Sequence, residues 1–121
     1  MKLFFAFIAF IALFAVVAAN STLSHDLILG TRIPGDQHLI RKVAFAKSAI
    51  MQKKRGDFIY EQKGVPRPAK ITYMMVKDQY TNGNGGYATL TNGGPGFDHV
   101  ELHFTSQWWR GYNFVVDVYG I

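Results

Sequence analysis

The sequence of 121 residues contains no cysteine. This absence excludes a disulfide framework, thiol catalysis and metal sites built on thiolates. The folded chain must therefore be stabilised by packing, and ten Phe and six Tyr in the whole sequence make aromatic burial the obvious means.

Acidic residues are also scarce, and their distribution is uneven. Residues 32–77 contain eleven Lys or Arg against three acidic residues, whereas residues 78–121 contain four acidic residues against Arg110. The basic half could attract phosphate polymers, sulfated glycans or membrane surfaces. The simpler interpretation is that Lys and Arg occupy the solvated faces of strands.

The first residues are typical of a secretory signal peptide. Lys2 precedes an apolar run from Leu3 to Ala19, and Val17 and Ala19 occupy positions minus three and minus one of a cleavage site before Asn20. The alternative is an uncleaved anchor, since seventeen apolar residues lie at the lower limit for crossing a bilayer. We predict a signal peptide at 1–19 and one domain at 20–121, secreted and without a stable membrane anchor.

The predicted new terminus begins with a glycosylation signal. Asn20-Ser21-Thr22 matches the acceptor sequence for N-linked glycans. Asn20 is therefore a candidate modification site.

Short alternating segments separated by turn residues predict an all-β domain. Seven to eight antiparallel strands in one sandwich or barrel-like fold are indicated. The strands are expected at 26–30, 38–45, 58–61, 69–77, 86–92, 98–105 and 112–119. Residues 44–54 also fit helical spacing, although strands are preferred there. Lys53 to Asp57 is expected to be a turn, which also accounts for the Arg55-Gly56-Asp57 tripeptide.

Two patterns suggest chemistry, but each has a better structural explanation. Gly83, Gly85 and Ala88 match a dinucleotide-binding loop, yet a strand sequence follows, so no helix N-terminus can receive a phosphate. His99 and His103 flank Glu101 on one strand face, and two ligands without a third make a weak metal site. The sequence also has no Ser-His-Asp order, close carboxylate pair or nucleophile turn. We predict no metal, no cofactor and no enzymatic activity.

The tandem Trp108-Trp109 beside Arg110-Gly111 is the candidate binding site. Consecutive residues of an extended chain point to opposite sides, so both rings are buried only if the backbone turns there. An exposed ring beside Arg110 could stack on a sugar or anchor a protein partner. The simpler interpretation is that the ring plugs the open end of the sandwich.

Several segments resemble an insect protein family, the multiprotein bridging factor two family. They are Leu29 to Asp36, Asp78 to Tyr87, Gly93 to Gly96, His103 to Gln107, Arg110-Gly111, Asn113-Phe114 and Val118 to Gly120. The family is named for a transcriptional activator and also includes small salivary or haemolymph peptides. Trp108-Trp109 departs from the small or basic residues expected at those positions.

The resemblance implies two possible roles. One is a secreted, non-enzymatic protein of saliva or haemolymph that binds a protein or glycan, with no direct nucleic-acid binding. The other is a coactivator that bridges a DNA-bound receptor and the general transcription machinery. The predicted signal peptide favours the first, because a nuclear protein has no use for export.

Overall fold

The computed structural model describes residues 23–121, and the predicted signal peptide and Asn20 lie outside this range. The described chain forms seven antiparallel strands. They are β1 (Leu27–Gly30), β2 (Gln37–Ala46), β3 (Arg55–Tyr60), β4 (Ile71–Asp78), β5 (Tyr87–Gly93), β6 (Val100–Thr105) and β7 (Tyr112–Gly120). Among residues 23–121, no helix is long and apolar enough to cross a membrane.

The strands form two separate sheets rather than a closed barrel. One sheet has the order β1-β4-β7-β2, and the other has the order β3-β6-β5. The all-β prediction is therefore confirmed as a two-sheet sandwich. The segment containing Pro66 and Pro68 joins β3 to β4 and so connects the two sheets, as the sequence predicts.

The core lies between the sheets and consists mainly of aromatic and branched aliphatic side chains. Phe104 of β6 packs against Phe114 and Tyr112 of β7, with ring centroids 5.2 and 5.5 Å apart. Val100, Leu102 and Phe104 are buried as their alternation predicts, and Phe114, Val116 and Val118 are buried on the facing sheet. A side chain of this size contributes about 1.5–3 kcal/mol when it is fully buried. Aromatic packing thus holds a chain without disulfides.

The turn predicted from Lys53 to Asp57 is wrong, because β3 already begins at Arg55. Arg55 pairs with Thr105 and Asp57 pairs with His103, so the Arg55-Gly56-Asp57 tripeptide lies in a sheet. Cross-strand partners decide where a strand begins, and a local charge pattern contains no information about them.

The predicted faces of β4 also need correction. Alternation places Ile71 with Tyr73 and Met75, but Ile71 is buried with Met74 and Val76. The register of β4 against β7 shifts between Ile71 and Tyr73. An irregularity of this kind places an extra residue in one strand and moves its end to the other face. The predicted central position of β4 is confirmed, since it lies between β1 and β7.

Antiparallel pairing sorts the connections into two groups at opposite ends of the sandwich. The loops 47–54, 79–86 and 106–111 lie at one end, which we call the tryptophan end. The loops 31–36, 61–70 and 94–99 lie at the other, which we call the opposite end. The segment 47–54 is a loop, so the helical alternative for residues 44–54 is wrong, and the preferred strand there is wrong beyond Ala46, where β2 ends.

Candidate binding surface at the tryptophan end

The loop that carries the tandem tryptophans is a tight turn between β6 and β7. The Arg110 N–H donates to the Gln107 carbonyl oxygen at 3.2 Å, which reverses the chain across Trp108 and Trp109. Gly111 follows, where the backbone runs so close to β2 that any Cβ would overlap the Ala46 carbonyl oxygen. Glycine is therefore required for the turn to enter β7.

Ser106 fastens this turn to the neighbouring loop 47–54. Its N–H donates to the Lys54 carbonyl oxygen at 2.8 Å, and its Oγ accepts the Lys54 N–H at 2.7 Å. Farther out, the Trp109 N–H donates to the Gln52 carbonyl oxygen at 3.0 Å. Three hydrogen bonds thus join the two loops into one unit, and the buried Ser106 lies at its base.

The glycine-rich loop 79–86 is fastened to the same turn. The Gln107 amide Nε2 donates to the carbonyl oxygens of Gly83 at 2.8 Å and Gly85 at 3.0 Å. At the start of the loop, the buried Asp78 carboxylate accepts backbone N–H groups from His25 and Tyr80 at 3.1 and 3.0 Å. Each of the three loops is therefore bonded to another part of the fold.

Both tryptophan rings are exposed to solvent. Trp108 is 58% exposed and Trp109 is 54% exposed, so neither ring plugs the end of the sandwich. The simpler interpretation of the sequence is thus wrong. The predicted site residues Trp108, Trp109 and Arg110 lie together on the surface, and their role in binding stays a prediction.

Two further apolar residues share this surface and were missed by the sequence analysis. Ile50 is 77% exposed and Met51 is 68% exposed, at the tip of loop 47–54. They precede Gln52, whose carbonyl oxygen holds Trp109. The mixed pattern of residues 44–54 could have signalled them, since apolar residues that fit no strand or helix face are candidates for exposure.

The backbone at Met51 and Trp109 is left-handed. Their φ angles are 57° and 66°, and within residues 23–121 they are the two non-glycine positions with positive φ. This conformation costs on the order of 1 kcal/mol per residue because Cβ crowds the following carbonyl oxygen. Unusual backbone of this kind concentrates at functional sites, and here it carries two of the exposed apolar side chains.

A small polar cleft adjoins Trp109. It has a volume of about 160 Å³. It is lined by Ser48, Tyr80, Asn82, Asn84, Trp109, Arg110 and Gly111. Sites for small molecules usually measure about 300–1,000 Å³ and are mostly apolar. In β7, burial raises the pKa of the Tyr112 phenol above its ordinary value.

The other candidates from the sequence are structural. Gly83 has a φ of 82°, so this glycine shapes the turn between β4 and β5, and the element that follows at Tyr87 is a strand. His99 Nδ1 lies 2.9 Å from Asp98 and His103 Nδ1 lies 2.8 Å from Asp57. Hydrogen bonding to His99 lowers the pKa of Asp98. Within the part of the chain described, no group of three His, Cys, Asp or Glu could hold a metal ion.

Fold and surface together define a small β-sandwich protein whose exposed loops form a candidate binding surface. Residues 29–120 match the family described as Transcription activator MBF2, and the chain belongs to this family. It is also 39% identical over 104 residues to a "Probable salivary secreted peptide" of Bombus ignitus, covering 84% of this chain and 74% of the relative. No solved structure matches significantly.

Proposed function

We propose that this chain is a secreted protein that acts by binding through the tryptophan end and not by catalysis. The observation that carries the proposal is the exposed Trp108-Trp109 pair, held on a loop that is hydrogen-bonded to the two neighbouring loops. Aromatic side chains on a preorganised scaffold supply contact area with little loss of conformational entropy on binding.

Secretion is supported by two independent facts. The relative from Bombus ignitus is described as a "Probable salivary secreted peptide". In the present chain, Lys2 and the apolar run from Leu3 to Ala19 have the pattern of a cleaved signal. Neither that relative nor the family carries the name of an enzyme.

Expression of the full-length chain in insect cells tests secretion. We expect protein in the medium that begins at Asn20, and treatment with a glycosidase shows whether Asn20 carries a glycan. Protein that stayed inside cells with residues 1–19 intact and reached the nucleus would contradict the proposal. That outcome would support the second candidate, an intracellular coactivator, which the description of the family favours.

A glycan array tests one class of partner for the same surface. The wild-type domain is compared with Trp109→Ala, and Phe97→Ala serves as a matched control because Phe97 is an exposed aromatic residue at the opposite end. Stacking on a sugar predicts a signal that Trp109→Ala removes and Phe97→Ala leaves unchanged. If no glycan gives a signal, or if the signal is equal in both variants, sugar binding at this surface is rejected, and binding to other classes of partner remains to be tested.

A further inference from the structure

Exposed apolar side chains and positive charge coincide at the tryptophan end. Ile50, Met51, Trp108 and Trp109 are each more than half exposed. The three loops of this end contain Lys47, Lys53, Lys54 and Arg110, and they contain no Asp or Glu. We propose that this surface, called here the insertion surface, binds the interface of a membrane containing anionic lipid. This inference rests on the proposed function and assigns the partner of the same site.

The shape of the insertion surface favours a lipid interface over a groove-bound ligand. The adjoining cleft is lined by Trp109 but not by Ile50, Met51 or Trp108. Those three side chains are exposed on the loops, so they can enter the interfacial region of a bilayer, which requires no complementary groove. Tryptophan suits this location, because its ring is apolar and its N–H remains hydrogen-bonded at the level of the headgroups.

The charge pattern of the loops indicates that the membrane surface they bind is negatively charged. Among the ion pairs of residues 23–121, none includes a residue of loops 47–54, 79–86 or 106–111. Lys47, Lys53 and Arg110 are exposed. Long basic side chains can extend to lipid phosphates while the neighbouring apolar groups enter the bilayer, and each cation near an anionic surface adds to the attraction.

The backbone conformation preorganises the insertion surface before a membrane binds. Met51 and Trp109 keep left-handed conformations that ordinary apolar residues avoid. The Trp109 N–H bond to Gln52 holds the tips of the two loops together. A surface that is already arranged loses little conformational entropy when it binds. The predicted interaction is peripheral and reversible, and differs from a spanning anchor.

Tryptophan fluorescence gives a direct readout, because both tryptophans of the chain lie in the insertion surface. The secreted domain is mixed with vesicles of phosphatidylcholine alone or with 30% phosphatidylserine. Anionic vesicles are expected to shift the emission to shorter wavelength, protect it from acrylamide, and bind at least about tenfold more strongly than neutral vesicles. Binding should weaken in 0.5 M salt.

Paired variants test whether the insertion surface itself binds. Ile50→Ser with Met51→Ser should weaken vesicle binding by about tenfold or more. Val65→Ser with Phe97→Ser, which changes exposed apolar residues at the opposite end, should change it less than twofold. A second pair compares charge. Lys53→Gln with Arg110→Gln should reduce binding, and Arg67→Gln with Lys70→Gln should reduce it less.

Three outcomes would overturn the membrane proposal: no binding to anionic vesicles, equal binding to neutral vesicles, or equal loss in the variants of the two ends. The broader function has a separate readout. A glycan or purified protein that changes tryptophan emission, with vesicles inactive, would keep the binding function and reject the membrane. Retention of the uncleaved chain inside cells would instead reject the secreted function, whatever the purified domain does with vesicles.

Discussion

The two ends of the sandwich are built differently although the same seven strands support both. At the opposite end, the loops contain ion pairs, and the neutral Gln62 side chain joins loop 61–70 to the Asp98 carbonyl oxygen. Arg32 lies 2.8 Å from Asp36, Lys63 lies 3.0 Å from Glu61, and His99 contacts Asp98. At the tryptophan end, backbone groups and the neutral side chains of Ser106 and Gln107 join the three loops to one another, and the Asp78 carboxylate holds the start of loop 79–86.

This difference distinguishes a candidate site from ordinary exposed surface. The opposite end also exposes apolar residues, including Val65 at 47% and Phe97 at 53%. There they stand among residues of both charges, and every left-handed residue is glycine. The three loops of the tryptophan end combine apolar side chains with charge of one sign and with left-handed backbone at Met51 and Trp109. Exposure of single apolar residues alone is weak evidence for a binding site. The combination of exposure, charge of one sign and left-handed backbone distinguishes the tryptophan end.

The largest expected effect tests the close backbone packing at the tryptophan end. In Gly111→Ala the new methyl group would overlap backbone atoms of Ala46 and Ser48, which cannot rotate away as the end of a flexible side chain can. We expect a loss of about 3 kcal/mol in the free energy of unfolding, measured by urea denaturation. Gly64→Ala at the opposite end is the control. Its φ is +75° but its surroundings are open, so about 1 kcal/mol is expected. Equal losses of stability would show that the two ends tolerate an added methyl group equally well.

A smaller effect tests the hydrogen bonds that join loops 47–54 and 106–111. Ser106→Ala removes the oxygen that accepts the Lys54 N–H in a buried position. We expect a loss of about 1–2 kcal/mol, because that N–H is left without its partner. The exposed Ser48→Ala on the same loop should stay within about 0.5 kcal/mol of wild type. If Ser106→Ala were equally mild, Ser106 would not be the joint between these loops.

Sequence periodicity predicted much of the fold for a physical reason. In β6 and β7 one face is buried against the other sheet, so Val100 to Phe104 and Phe114 to Val118 had to alternate. The errors lie where distant contacts decide. The start of β3 depends on pairing with β6, and the bulge in β4 depends on its register against β7.

The candidate site was predicted only in part. Trp108, Trp109 and Arg110 were found because tandem aromatics beside glycine conflict with strand alternation. Ile50 and Met51 were not found, because their proximity to the tryptophan turn comes from a hydrogen bond between loops 57 residues apart at Gln52 and Trp109. Antiparallel topology brings these loops to the same end, and local spacing does not contain that information.

A third test separates stability from binding at the tryptophan end. Trp109→Asn should raise the free energy of unfolding by up to about 1 kcal/mol, because asparagine tolerates the left-handed conformation that strains tryptophan. The same change should weaken vesicle binding. Trp108→Asn is the matched control, since Trp108 is similarly exposed but has no positive φ. It should weaken binding without stabilising the fold. Stabilisation of both variants, or of neither, would remove backbone strain as a distinguishing feature of this end.

The smallest expected effect is a dependence on pH that belongs to the opposite end. Hydrogen bonding from Arg32 lowers the pKa of Asp36 from 3.8 to about 2, with further help from the Ile33 N–H and the Thr72 hydroxyl. A carboxyl group whose pKa falls on folding stabilises the fold above its ordinary pKa, and this contribution is lost as pH falls toward 2. Asp36→Asn should therefore lower Tm slightly at pH 7, with the difference from wild type closing between pH 4 and pH 2.

Ser106→Ala gives the matched comparison at the tryptophan end, because its hydrogen bonds involve no ionisable side chain group. Its deficit in Tm relative to wild type should stay constant over the same pH range, measured by thermal melts followed by circular dichroism. A constant deficit for Asp36→Asn would show that the carboxylate charge does not stabilise loop 31–36. The contrast between loop 31–36, which contains an ion pair, and loops 47–54 and 106–111, which neutral hydrogen bonds join, would then have to rest on geometry alone.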